Sequence, residues 1–189
     1  MALDASAFSR HGLVKRALAG GKILSLRRGL YCLAPRYQKQ PVNPYAFAQR
    51  IYGPSYISME TALSHHGWIP EAVHACICAS YGNAKGYNTP LGVFNYSRLP
   101  QKVFYTAVER CVDSDGNVFF MASPAKALAD YFYVRRPPWT NIRDACGSLR
   151  IEQEEMLVVT ADELAMLEDN CTSRRVRRFL ANWRKALKS

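Results

Sequence analysis

Residues 20–33 have the sequence GGKILSLRRGLYCL, in which two glycines precede two short apolar runs. Adjacent glycines favour the end of a helix, because they lack the side chain that restricts the backbone. The runs 22–26 and 30–33 have the composition of β-strands, and Gly29 stands where the chain has to reverse between them. The stretch therefore predicts the end of a helix, a turn and a β-hairpin with Arg27 and Arg28 at its tip.

A helix is predicted ahead of this hairpin, with Ser9 as its N-cap and the glycine pair at its end. Its apolar positions recur with helical spacing and form one stripe at Leu13, Val14, Ala17 and Leu18. Its basic positions lie mostly off that stripe and are predicted to face solvent: Arg10, His11, Lys15 and Arg16. This is the arrangement of the last third of a winged-helix domain, in which the helix enters the major groove of DNA and the hairpin meets the backbone.

Residues 1–38 are therefore interpreted as a winged-helix-like DNA-binding segment. A complete winged helix has two helices before its recognition helix, whereas only eight residues precede Ser9. The segment is thus predicted to be partial: either the natural start lies upstream of Met1, or the chain carries a reduced version of the domain. An ordinary helix–hairpin unit packed on the body is the alternative interpretation.

The charge of the chain is concentrated at its two ends. Residues 1–39 carry eight Lys or Arg against one acid, and residues 174–189 carry seven Lys or Arg and no acid. The 134 residues between them hold ten basic and fourteen acidic side chains, a net charge of −4 within a total of +10. Clustered basic residues bind phosphate backbones by releasing condensed counterions, so the pattern predicts duplex DNA as the first partner. Two solvated helix faces are the alternative.

Residues 39–189 are predicted to form a second domain of mixed structure, preceded by a proline-containing linker at 34–44. Helices are expected to begin after capping residues at Asn43, Ser58, Ser123, Thr160 and Ser173. Four strand-like runs are joined closely enough to indicate an antiparallel meander, at residues 73–81, 92–98, 103–109 and 118–122. The predicted fold class is α+β, with helices flanking an antiparallel sheet.

The last predicted helix is basic and amphipathic. Its apolar positions share one face, at Val176, Phe179, Leu180, Trp183 and Leu187. That stripe is wide enough to dock on the body of the protein, so the helix is expected to be folded. Docking is expected to hold four basic side chains as a fixed patch close to phosphate: Arg174, Arg175, Arg177 and Arg178.

Composition narrows the class of protein. An apolar fraction of 49% with 12% aromatic residues indicates a packed chain, and no stretch approaches the roughly 20 apolar residues of a membrane span. No secretion signal is recognisable and the six cysteines form no C-x-x-C pair, so a cytoplasmic protein with reduced thiols is predicted.

No metal, cofactor or enzymatic activity is predicted. Adjacent His65 and His66 point apart on a helix, and the Cys76-x-Cys78 pair lacks a matching second pair. Phosphate-binding loops and the common hydrolase and metalloprotease motifs are not found in the sequence. A nuclease site hidden among the acids of the body stays open as a minor alternative.

Four segments, in the same order, resemble the AbiE-type antitoxins, the regulator components of type IV abortive-infection toxin–antitoxin systems. They have the sequences ILSLRRGLY, YISMETALSHHG, TPLGVFNY and ASPAKALAD, at residues 23–31, 56–67, 89–96 and 122–130. The resemblance spans residues 13–134 and does not cover the basic C-terminal helix. It implies a winged-helix N-terminus that binds operator DNA and represses its own operon. It also implies an α/β C-terminal domain that counteracts a nucleotidyltransferase toxin without a stable complex.

The sequence is therefore interpreted as that of a DNA-binding transcriptional regulator and antitoxin. The residues predicted to contact DNA are Arg10, His11, Lys15, Arg16, Arg27, Arg28, Arg174, Arg175, Arg177 and Arg178. A non-catalytic module that binds RNA or a protein is the second hypothesis, and a nucleic-acid-processing enzyme is the third.

Overall fold

The computed structural model of the chain describes the backbone of residues 7–187 and the side chains of residues 10–187. A 3-10 turn, Pro35–Tyr37, separates the first three elements from the rest. The helices and strands follow in the order α1 (Ala7–Ala19), β1 (Ile23–Arg27), β2 (Leu30–Leu33), α2 (Tyr45–Ile51), β3 (Ser55–Ile57), α3 (Met59–His65), β4 (Cys76–Ser80), β5 (Lys85–Thr89), β6 (Gly92–Arg98), β7 (Val108–Val112), β8 (Val118–Ala122), α4 (Pro124–Arg135), α5 (Ile142–Leu149), α6 (Gln153–Val158), α7 (Ala161–Asn170) and α8 (Arg174–Ala186).

The helix and hairpin predicted for the first 33 residues are confirmed. Helix α1 ends at the glycine pair, where the Gly20 amide donates to the Arg16 carbonyl at 2.9 Å. Strands β1 and β2 pair antiparallel, and Gly29 adopts φ of +79° at the reversal, a conformation that a side chain disfavours. The prediction of Ser9 as N-cap is wrong, because α1 already includes Ala7 and Ser9 lies inside it. Alanine favours the helical state, so nothing in the local sequence forces a start at Ser9.

The body contains a six-stranded mixed sheet, in the order β5-β6-β4-β3-β8-β7. Strand β4 pairs parallel with β6, and β3 pairs parallel with β8, while the other neighbours are antiparallel. The α+β class is therefore confirmed, but the predicted antiparallel meander is wrong.

Two strands absent from the prediction explain the error. Strand β3 has three residues, and β5 contains the weak strand formers glycine and asparagine. Because β5 returns the chain between β4 and β6, those two strands run parallel. The run at 103–109 was also misplaced, since the strand there is Val108–Val112.

The predicted capping residues locate five helix starts well. Ser123, Thr160 and Ser173 each accept a hydrogen bond from the backbone amide three residues later. Asn43 accepts from the Tyr45 amide at 3.0 Å, but it stands one residue before the N-cap of α2, which is Pro44. Ser58 precedes α3 as predicted, but its hydroxyl donates to the Asp130 carboxylate rather than capping the helix. Buried polar contacts can outweigh a cap, because an unpaired carboxylate in the core is costly.

Helix α8 docks on the body as its apolar stripe predicts. Its buried residues are Val176, Phe179, Leu180 and Trp183, and they join the main core. Phe179 stacks on Phe132 of α4 with ring centres 4.5 Å apart, and the Trp183 indole donates to the Met156 carbonyl at 2.9 Å. Across residues 7–187, no helix combines the length and apolar character needed to cross a membrane.

Candidate nucleic-acid interface

The ten basic residues predicted to contact DNA are all exposed. None of them forms an ion pair with another described residue. The four ion pairs found in residues 10–187 use other cations, namely Lys126, Arg135, Arg150 and Arg184. The nine Lys and Arg side chains among them therefore retain charge that no described carboxylate neutralises, which is the state that phosphate binding requires.

Helix α1 lies against the hairpin with little burial of its own. Leu13 is 49% exposed, and its three companions on the apolar stripe are only half-buried. Helical spacing places His11 and Lys15 on a shared face, since they are four residues apart. Arg10 instead stands one turn before Leu13 and Val14, on the apolar side. The four basic residues of α1 are thus spread around the helix rather than confined to one face.

The hairpin tip is held against the body by Arg27. Its Nε and Nη2 atoms donate to the Arg50 carbonyl of α2 at 3.3 and 3.1 Å. Arg28 makes no such side-chain contact with the described residues and lies exposed in the turn beside Gly29. The two arginines therefore differ: Arg27 positions the hairpin, and Arg28 is free to meet a partner.

The segment between the hairpin and α2 is more ordered than a simple linker. It contains the 3-10 turn, and the Arg36 guanidinium donates to the Gly20 carbonyl at 3.0 Å. Strand β1 also contacts β5 at one edge of the sheet. These contacts join the N-terminal helix and hairpin to the body.

The basic C-terminal helix presents its arginines on two faces. Arg174, Arg175 and Arg178 line one cleft of about 670 Å³, together with Thr140, Asn182 and the aromatic residues Phe132, Trp139 and Phe179. Arg177 is not among the residues that line it. Only three of the four predicted arginines therefore line this cleft, and the prediction of a single phosphate-binding patch that includes Arg177 stays a prediction.

Two parts of the cleft wall are fixed by hydrogen bonds. The Arg175 guanidinium donates to the Pro137 carbonyl and lies 4.3 Å from the ring centre of Phe132. The Asn182 amide nitrogen donates to the Thr140 carbonyl at 3.1 Å. Trp139, which lines the cleft, also stacks on Tyr131, with ring centres 5.5 Å apart. These residues were not predicted, because α8 meets the chain around Trp139 only through tertiary packing.

A second polar cluster lies buried between β3 and α4. Lys126 and Asp130 form an ion pair with side chains only 4% and 3% exposed. The Asp130 carboxylate also accepts from the Tyr56 hydroxyl at 3.0 Å and from the Ser58 hydroxyl at 2.7 Å. Burial and the Asp130 carboxylate raise the pKa of Tyr56 well above its usual value. The neutral hydroxyl is thereby kept as a donor.

This cluster joins two segments that are distant in the sequence, 56–67 and 122–130. The His66 imidazole adds a third contact, with Nε2 2.9 Å from the Ala122 carbonyl oxygen. The cavity beside Lys126 and Asp130 measures about 30 Å³, enough for about one water molecule. The buried charges and hydroxyls of this cluster depend on one another for partners, so the cluster is expected to contribute to the stability of the fold.

The histidines and cysteines considered for metal binding are dispersed or buried. Cys76 and Cys78 point the same way along β4, with sulfur atoms 3.7 Å apart. All six cysteines are free thiols. Within the described side chains, no set of three or more His, Cys, Asp and Glu residues is placed to hold a metal ion.

Comparison with known protein families finds no match to this chain, and no curated protein matches it either. The candidate interface consequently stands on its own geometry: exposed, unneutralised cations on α1 and the hairpin, and an arginine-lined cleft on α8.

Proposed function

We propose that this protein is a DNA-binding transcriptional regulator that represses its own promoter and acts as the antitoxin of an abortive-infection operon. Its partners would be operator DNA and a nucleotidyltransferase toxin that it counteracts without a stable complex. No cofactor and no catalytic step are part of the proposal. The resemblance of four ordered segments to AbiE-type antitoxins supports the biological role, and the charge distribution supports the DNA partner.

One observation carries the DNA partner: nine exposed Lys and Arg residues at the two ends of the chain lack carboxylate partners within residues 10–187. A merely solvated surface would intersperse acids with these cations, as the body does. The helix α1 would approach base edges in the major groove, and the hairpin tip would meet backbone phosphates. The arginines of α8 would supply further phosphate contacts.

Duplex affinity is expected to fall steeply with salt. Each phosphate neutralised by a Lys or Arg should contribute about −0.9 to the slope of log affinity against log salt concentration, because it releases a condensed counterion. Gel-shift or fluorescence-anisotropy titrations at several salt concentrations measure this slope. An affinity that stays nearly constant between low and moderate salt would count against duplex binding.

The helix and the hairpin are expected to play different roles. Replacing Arg28 by alanine should weaken binding to all duplexes alike, because a hairpin tip mainly meets backbone. Replacing Lys15, or Arg10, should reduce discrimination between operator and random DNA by about 1–3 kcal/mol if a bidentate base contact is lost. Arg27→Ala should resemble Arg28→Ala and also loosen the hairpin, since it removes the bond to the Arg50 carbonyl.

Arg143→Ala is the matched control for these variants, because Arg143 is an exposed arginine of the body without an ion pair among the described residues. It should leave both affinity and discrimination close to the parent values. Equal losses on operator and random DNA for Lys15, Arg10 and Arg28 variants would refute the division of roles.

The antitoxin role is tested by co-expression with the product of the neighbouring gene, which this proposal expects to be a nucleotidyltransferase. Growth should be restored by the parent chain, and affinity purification should recover the two proteins separately. A neighbouring gene of another class would favour a solitary regulator. Failure of growth rescue with an active toxin would overturn the antitoxin role and leave DNA binding to be judged by the titrations above.

A further inference from the structure

The cleft beside α8 places three arginines where they are electrostatically unfavourable. Arg174, Arg175 and Arg178 all belong to the first five residues of the helix, and its first turn contains no acidic residue. The N-terminal end of a helix carries partial positive charge, and like charges three or four residues apart repel one another. Arrangements that break a local rule in this way are expected at functional sites, where a ligand removes the cost.

No carboxylate offsets the charge of these arginines within the described residues. None of the three guanidiniums reaches a carboxylate within the described part of the chain. The Asp144 carboxylate, on the segment that adjoins the cleft, accepts from the Thr140 hydroxyl and amide and from the Asn141 amide at the start of α5. Those hydrogen bonds lower the pKa of Asp144, so it stays charged but engaged at that helix start.

We propose that this cleft binds a nucleoside polyphosphate, with the linked phosphates held by Arg174, Arg175 and Arg178. Guanidinium groups bind phosphate oxygens through paired, charge-assisted hydrogen bonds. Arg175 is already oriented by its contacts with the Pro137 carbonyl and the Phe132 ring, so little conformational entropy is lost when it binds. Three cations with no lining acid match an anion that carries several negative charges.

The size and the other walls of the cleft favour a nucleotide over a single phosphate. Its volume of about 670 Å³ lies in the range of small-molecule sites and exceeds what one phosphate fills. The lining also includes the polar residues Asn182 and Thr140 and the aromatic residue Trp139, which is 8% exposed. These groups suit a ribose or a base, which needs hydrogen bonds and an apolar contact.

Regulation of DNA binding by this anion rests on the proposed function. If the α8 arginines also contact DNA, a polyphosphate in the cleft competes for them and weakens operator binding. Binding of the free anion itself does not depend on DNA, and it is therefore measured without DNA.

The test is calorimetric titration of the full chain with adenosine and guanosine triphosphates, inorganic tripolyphosphate and orthophosphate. The parent protein should bind a nucleoside triphosphate more tightly than tripolyphosphate, and orthophosphate weakest. Arg178→Glu should weaken triphosphate binding about tenfold or more, because it removes charged hydrogen bonds and adds repulsion. Arg177→Glu makes the same charge change on the same helix outside the cleft, and it should alter affinity less than about twofold.

Three results would overturn the inference. The parent protein could show no binding of any triphosphate while Arg178→Glu weakens duplex binding, in which case these arginines hold DNA backbone and the proposed function stands. Equal losses for the Arg177 and Arg178 variants would indicate attraction to net charge alone. Equal affinity for tripolyphosphate and the nucleoside triphosphates would show that the nucleoside contributes nothing to binding. Thermal unfolding of both variants at the parent temperature ensures that the comparison concerns folded protein.

Discussion

Replacement of Asp130 by alanine is expected to lower the free energy of unfolding by about 3–5 kcal/mol, the usual cost of breaking a buried ion pair from one side. The variant leaves the Lys126 ammonium, whose side chain is 4% exposed, without its carboxylate. It also removes the acceptor of the Tyr56 and Ser58 hydroxyls. Chemical denaturation followed by tryptophan fluorescence measures the change.

A double variant separates the ion pair from simple loss of packing. Lys126→Met should be destabilising by itself, because it leaves the Asp130 charge buried with only the hydroxyl donors. Combining Lys126→Met with Asp130→Ala should cost clearly less than the sum of the two single changes, since neither charge then remains unpaired. Additive losses would show that the two groups do not interact as their contact indicates.

Sequence patterns predicted the parts of the fold whose signals are local. The glycine pair after α1, the turn at Gly29 and the caps at Ser123, Thr160 and Ser173 depend on a few adjacent residues. Strands β3 and β5 were missed because three residues, or a run with glycine and asparagine, do not specify a strand without partners. The parallel pairing of β4 with β6 follows from β5, so it was missed as well.

The candidate site shows the same division. Exposure of the basic residues followed directly from composition and periodicity. The cleft did not, because it forms where α8 packs beside the chain around Trp139 and Thr140, far away in sequence. For the buried cluster a signal was present: Lys126 and Asp130 stand four residues apart in an otherwise apolar run. Opposite charges at that spacing on a buried helix face indicate an internal pair.

Replacement of Trp183 by alanine is expected to lower the free energy of unfolding by about 3–5 kcal/mol, the range for removing a large buried aromatic side chain. Trp183 is 0% exposed and packs between Trp68 and Phe179, with ring centres 6.2 and 6.1 Å away. The change leaves a cavity. It also leaves the Met156 carbonyl without the hydrogen bond that the Trp183 indole donates. Deletion of residues 172–189 should be more damaging still, because it removes every buried contact of α8.

Substitutions on the buried face of α8 should lower stability, whereas substitutions of its exposed arginines should lower anion binding. Trp183→Phe should cost less than the alanine variant, because it keeps one aromatic ring in the core while losing the indole hydrogen bond and part of the buried ring volume. Arg178→Glu should change the free energy of unfolding by less than about 1 kcal/mol, since an acid near the start of a helix is favourable. Equilibrium denaturation of all three variants tests the distinction. If Arg178→Glu unfolds as readily as Trp183→Ala, the arginines of α8 stabilise the fold and do not form a binding surface.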